Sequence, residues 1–165
     1  MASFGEKEQV YFISPTAGRL TGEEMFSMVV DYIEESPSRK YNLIIGTDSF
    51  QGRETLFVTA IIVHRVGHGG RYFYRKRRVK NMNSMRHRIF YEATLSIEVA
   101  SYLQERLSEN GYKSLPVEIH LDIGSNGDTR EIIKEVVGMV TGSGYYAVTK
   151  PDSFGASKVA DRHSR

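Results

Sequence analysis

Three runs rich in β-branched and aromatic residues follow one another almost without interruption, and this succession constrains the fold more than any other feature. Tyr41 to Ile45 leads into Gly46-Thr-Asp-Ser49 and is nearly continuous in apolar character, the mark of a strand covered on both faces. Thr55 to Val66 is a long β-branched run, Gly67, Gly69 and Gly70 supply a turn, and Arg71 to Val79 resumes as a strand. Strands joined through such short turns pair antiparallel. The three runs therefore predict a meander whose first strand is central.

What flanks the meander changes period. Thr21-Gly-Glu-Glu24 has capping-box spacing, and Met25, Val29, Tyr32 and Ile33 then recur at helical intervals, predicting a leading helix from about 22 to 36 that Pro37 ends. After the meander, Ile89, Ala93, Ile97, Ala100, Leu103 and Leu107 fall on one stripe between about Ser84 and Asn110, with Gly111 as a stop, so a long amphipathic helix is expected. Val117, Ile119, Leu121 and Ile123 alternate with Glu118, His120 and Asp122, the period of a strand. Asp128 with Glu131 three residues later predicts the cap of a helix reaching about Thr141. Tyr145 to Thr149 then reads as a short strand, and Pro151 opens a closing helical stretch.

The order after the leading helix is thus β-β-β-α-β-α-β-α, an α/β chain. It predicts a mixed five-stranded sheet, three antiparallel strands followed by parallel ones, with helices on both faces. Right-handed crossovers place the fourth and fifth strands beyond the first. With 165 residues and no long Pro/Gly linker, one domain is expected over 1–165, its core spanning about 41–165.

Several function classes fall away. The longest apolar run, Leu56 to Val63, is far below the roughly 20 residues a membrane span requires. Met1 to Val10 lacks the apolar stretch of a secretory signal, so a cytoplasmic protein is expected. Cysteine is absent, which removes disulfides and thiolate sites and leaves oxygen or imidazole ligands for any metal.

Four acids stand out by position: Asp48 near the end of the central strand, Glu92 early in the long helix, Asp122 near the end of the fourth strand and Asp161 in the closing helix. Open α/β sheets bind ligands beyond the carboxyl ends of their strands, where Asp48 and Asp122 are predicted to be neighbours. Each has a plainer reading as a turn residue, Asp48 before Ser49 and Asp122 before Gly124-Ser-Asn126. At about 100° of rotation per residue, Glu98 falls opposite the apolar stripe and reads as a solvated charge, whereas Glu92 lies at its border. The plainer reading of Glu92 is a boundary carboxylate paired with Arg86 or Arg88. Crowded carboxylates repel unless a cation neutralises them, so such a cluster suits magnesium or manganese and phosphate chemistry. Asp161 lies four residues from the chain end, and Asp152 is its substitute candidate.

Net charge is only +2, but its distribution is informative. From Arg71 to Arg88 there are eight Lys or Arg residues and no acid, with Tyr72, Phe73 and Tyr74 among them. One reading is an edge strand guarded against aggregation. The other is a nucleic-acid surface in which Arg75, Lys76, Arg77 and Arg78 meet phosphates and Tyr74 stacks on bases. Lys158, three residues before Asp161, is a further candidate for phosphate or an ordinary surface charge.

Ile45-Gly-Thr-Asp-Ser49, Val63-His-Arg65, Tyr91-Glu92, His120-Leu-Asp-Ile-Gly124 and the stretch from Lys150-Pro-Asp-Ser to Val-Ala-Asp-Arg162 together resemble the bacterial YkuK family, described as ribonuclease H-like. The resemblance covers roughly residues 20 to 165. It implies a ribonuclease H-like fold and a two-metal nuclease, with Asp48, Glu92, Asp122 and Asp161 holding two Mg2+ or Mn2+ ions to hydrolyse phosphodiesters of RNA, DNA or a hybrid. The competing expectation is a nucleic-acid-binding module of the same fold that does no chemistry.

Overall fold

A computed structural model describes residues 11–123, 129–150, 152–153 and 162–163. The elements run β1 (Tyr11–Ser14), β2 (Gly18–Thr21), α1 (Gly22–Glu35), β3 (Tyr41–Gln51), β4 (Thr55–Arg65), β5 (Gly70–Val79), α2 (Met85–Glu109), β6 (Val117–His120), α3 (Arg130–Gly142) and β7 (Tyr146–Val148).

Among the described residues the sheet has seven strands in the order β2-β1-β5-β4-β3-β6-β7, so the expectation of five is corrected by an N-terminal hairpin. Its strands are four residues each, too short for a period to emerge from sequence. Ser14 Oγ accepts the backbone N–H groups of Thr16 and Ala17 in the turn, and Gly18 takes φ +74°, which costs glycine nothing. β1 then pairs with β5 at Ile13 and Tyr74, extending the antiparallel side. The predicted meander β3-β4-β5 is present in unbroken register. β6 and β7 lie parallel beyond β3, where right-handed crossovers put them.

Helix α1 begins at the predicted capping box: Thr21 Oγ1 accepts from Glu24 N at 3.1 Å and Glu24 Oε1 accepts from Thr21 N at 3.0 Å. Ser84 caps α2 by accepting from His87 N, and Gly111 follows it with φ +85°. The expected cap Asp128 and closing helix fall outside the described residues.

Alternation along the strands gives the sheet two unlike faces. One presents Leu43, Ile45, Ile61, Val63, Phe73, Val117 and Ile119, which form one core with Val29 of α1, Val99 and Leu103 of α2, and Val136 and Val140 of α3. Each such side chain, fully buried, contributes roughly 1.5–3 kcal/mol. The opposite face carries a smaller cluster of Leu56, Val58 and Tyr74, with the ring of His163 stacked on Tyr74 at 3.9 Å. No helix among the described residues is long and apolar enough to cross a membrane.

Candidate active site

The parallel register of β3 and β6 matches Ile44 with Glu118 and Gly46 with His120. Continued by two residues it sets Asp48 beside Asp122, on one face and at the carboxyl ends of both strands. β6 itself stops at His120, so the last part of β3, Thr47 to Gln51, lacks a β6 partner in the ladder. Asp48 there is only 8% exposed.

Helix α2 approaches the same end from the core face. Thr47 Oγ1 lies 2.9 Å from Thr59 Oγ1 and 2.8 Å from Ser96 Oγ, a buried hydroxyl cluster that seats the helix on the strand. One turn before Ser96, Glu92 Oε1 accepts a 3.0 Å bond from Ser49 Oγ. Burial first, then the nearby charge of Asp48, push the Glu92 carboxyl up to about 8; the Ser49 hydrogen bond opposes them, the Asp122 charge adds a weaker push and Arg88 the weakest opposing pull. Glu92 therefore feels both aspartates, and of the two glutamates weighed from sequence it is the one at this site.

Glu98 does something else. It pairs with Arg75 at 3.5 Å and its side chain is 37% exposed, which corrects the expectation of a plainly solvated charge. The apolar arc of α2 is wide because the helix lies across several strands, so a residue opposite the stripe's centre still meets the sheet.

Asp122 has a partner that sequence reading missed. Lys150 Nζ stands 2.7 Å from Asp122 Oδ1, the two side chains being 53% and 30% exposed. The signal was the register: β6 and β7 pair His120 with Val148, and Leu121 N–H to Val148 and Lys150 N–H to Ile123 carry the ladder onward, so two residues on Lys150 faces Asp122. Asp161 lies outside the described residues, as does Lys158.

Among the described residues, no three His, Asp or Glu side chains stand close enough together to hold an ion as they are. Glu92 is drawn to Ser49 and Asp122 to Lys150. The donor chemistry nonetheless fits a hard divalent ion: an all-oxygen acidic set, one member of which is pushed up by burial and then by its acidic neighbours, is what such a cation relieves.

His120 lies two residues before Asp122 on the same face. Neither ring nitrogen makes a hydrogen bond among the described residues, Glu118 Oε1 is 3.6 Å from Nε2, and burial lowers the ring's pKa against the opposing pull of Glu118. Asn42 links Glu118 to His64 across the same face.

The basic strand divides by burial. Lys76, Arg77 and Arg78 are exposed. Arg75 is not: it points into the core face, 8% exposed and paired with Glu98, which corrects its reading as a phosphate contact. Tyr74 is likewise withdrawn, buried beside β1 and covered by His163, and is not placed to stack on bases. Lys76 keeps a direct relation to the acids, since Asp48, Val58 and Lys76 form one cross-strand row, about 10 Å from end to end at ordinary strand spacing.

A family model described as ribonuclease H-like matches residues 24–165. The chain is also 31% identical to "Uncharacterized protein YkuK" of Bacillus subtilis (strain 168), over 93% of this chain and 96% of that one. No solved structure matches.

Proposed function

The chain belongs to the ribonuclease H-like family, and from that premise we propose that it is a divalent-metal-dependent nuclease acting on phosphodiester bonds of RNA, DNA or a hybrid. The observation that supports this best is the 3.0 Å bond from Ser49, one residue past Asp48 on β3, to Glu92 of α2, at a place where burial, then Asp48 and more weakly Asp122, push the Glu92 carboxyl upward. Asp48, Glu92 and Asp122, with Asp161 from outside the described residues, are the side chains that would hold magnesium or manganese. When bound there, a pair of such ions supplies Lewis acidity at the phosphorus and an attacking water acidic enough to react near neutral pH.

The protein's own part is arrangement. Ser49 fixes one oxygen of Glu92, and the Thr47-Ser96 bond holds α2 at the strand end so that this oxygen stays in reach. Glu92 gives up a proton to the solvent as positive charge enters. Lys76, Arg77 and Arg78 draw the phosphate backbone toward the exposed end of β5, Lys76 from the face and row of Asp48.

The second reading, a binding module without chemistry, is favoured by the lack of three assembled carboxylates among the described residues. One experiment separates the two. End-labelled RNA, DNA and hybrid are incubated with the protein and Mn2+ or Mg2+, alongside Asp48→Asn. Metal-dependent cleavage lost in the variant, with cooperative melting retained, supports the nuclease; binding that needs no metal and never leads to cleavage overturns it.

A further inference from the structure

Lys150 is a lysine placed opposite an acid of the candidate site by the sheet itself. It follows β7 by two residues, its N–H bonds to Ile123, and its ammonium meets Asp122 at 2.7 Å. The pair sits at the same strand ends as Asp48 and Glu92, and half of the Lys150 side chain remains exposed. A lysine ammonium is a compact point charge with three donors on a flexible stem. It can neutralise one carboxylate, and it can swing to a phosphate without any backbone change.

A divalent ion entering beside Asp122 would take over that neutralisation, because two positive charges at oxygen-ligand distance outweigh one ammonium. The ammonium then has no reason to stay on the carboxylate and is repelled by the ion. We infer that Lys150 is an exchangeable counter-cation of the site: it holds Asp122 in the metal-free chain and, once Asp122 is released to metal, becomes a contact for the substrate's phosphate. The inference rests on the nuclease reading and adds to it a residue with two alternating partners, phosphodiester and carboxylate.

The consequence is a coupling that an ordinary surface ion pair lacks. Lys150 should compete with metal in the absence of nucleic acid and assist nucleic acid only in the presence of metal. The test uses the full chain and the variants Lys150→Met, Lys150→Gln and Lys150→Arg. Mn2+ binding is followed by electron paramagnetic resonance of the free ion, and binding of a labelled oligonucleotide is measured in chelator and in Ca2+. Both neutral variants should bind Mn2+ about 3- to 10-fold more tightly than the wild type. They should bind the oligonucleotide about 3- to 10-fold more weakly in Ca2+ and equally in chelator, while Lys150→Arg stays near the wild type in all three. An exposed pair costs little to remove, so the variants should fold, and two neutral replacements guard against a local effect of either. Unchanged Mn2+ affinity, or an oligonucleotide defect of the same size in chelator and in Ca2+, overturns the inference. Failure of the wild type itself to bind Mn2+ overturns the metal reading beneath it, and is visible before any variant is made.

Discussion

Ser49 Oγ donates a 3.0 Å hydrogen bond to Glu92 Oε1, tying the end of β3 to the start of α2. Ser49 favours the ionised form of a carboxylate that its surroundings otherwise keep protonated. Ser49→Ala should therefore raise the Glu92 pKa further, and the pH needed for half-maximal manganese binding should move upward. The accompanying loss of stability should be small, about 1 kcal/mol, as for one hydrogen bond. Manganese titrations at several pH values check both the direction and its independence from folding.

Glu92 also makes the stability of the metal-free chain depend on pH. Its folded pKa of about 8 lies above the ordinary 4.5, so the folded state binds the proton more tightly than the unfolded one. The stability this provides is complete below about 4.5 and is lost as pH rises through 8. Glu92→Gln should thus match the wild type at pH 4.5 and exceed it at pH 9, by roughly 1–3 kcal/mol once solvent screening is allowed for. Thermal melts in chelator at the two pH values test this. A variant less stable at pH 9 would contradict the buried, repelled state of Glu92.

Arg75 and Glu98 should behave as a structural pair. Glu98→Gln leaves a buried guanidinium facing a neutral amide, at a cost of about 1–2 kcal/mol given the partial exposure of the glutamate. Arg75→Met should change urea unfolding and leave the salt dependence of oligonucleotide binding unaltered. A flattened salt slope in Arg75→Met would return that residue to the interface.

The exposed part of β5 should carry the opposite signature. Replacing Lys76, Arg77 and Arg78 with alanine should leave melting nearly unchanged and reduce the slope of log affinity against log salt by about 0.7–0.9 for each phosphate that is no longer neutralised. Binding isotherms across a salt series provide the measurement.

Much of this architecture could be read directly from residue periods. Thr21 and Glu24 announced their capping box, the alternation of Val117 to Asp122 announced a strand, and the succession of elements placed β6 and β7 beyond β3, because each depends on local spacing or on chain handedness. That Glu92 rather than Glu98 turns toward the end of β3 was legible for the same reason.

A period fixes which face of a strand a side chain takes, and is silent about what covers that face. Arg75 looked like one of a row of basic residues, yet alternation turned it under α2, where Glu98 met it. Tyr74 was withdrawn by a hairpin too short to leave a pattern, and Lys150 acquired Asp122 only when β7 docked beside β6. Spacing along the chain determined the elements from α1 to β7 and their order. Contacts between segments far apart in sequence decided which charges were buried, which were paired and which were left exposed, since burial and pairing exist only once the layers have closed.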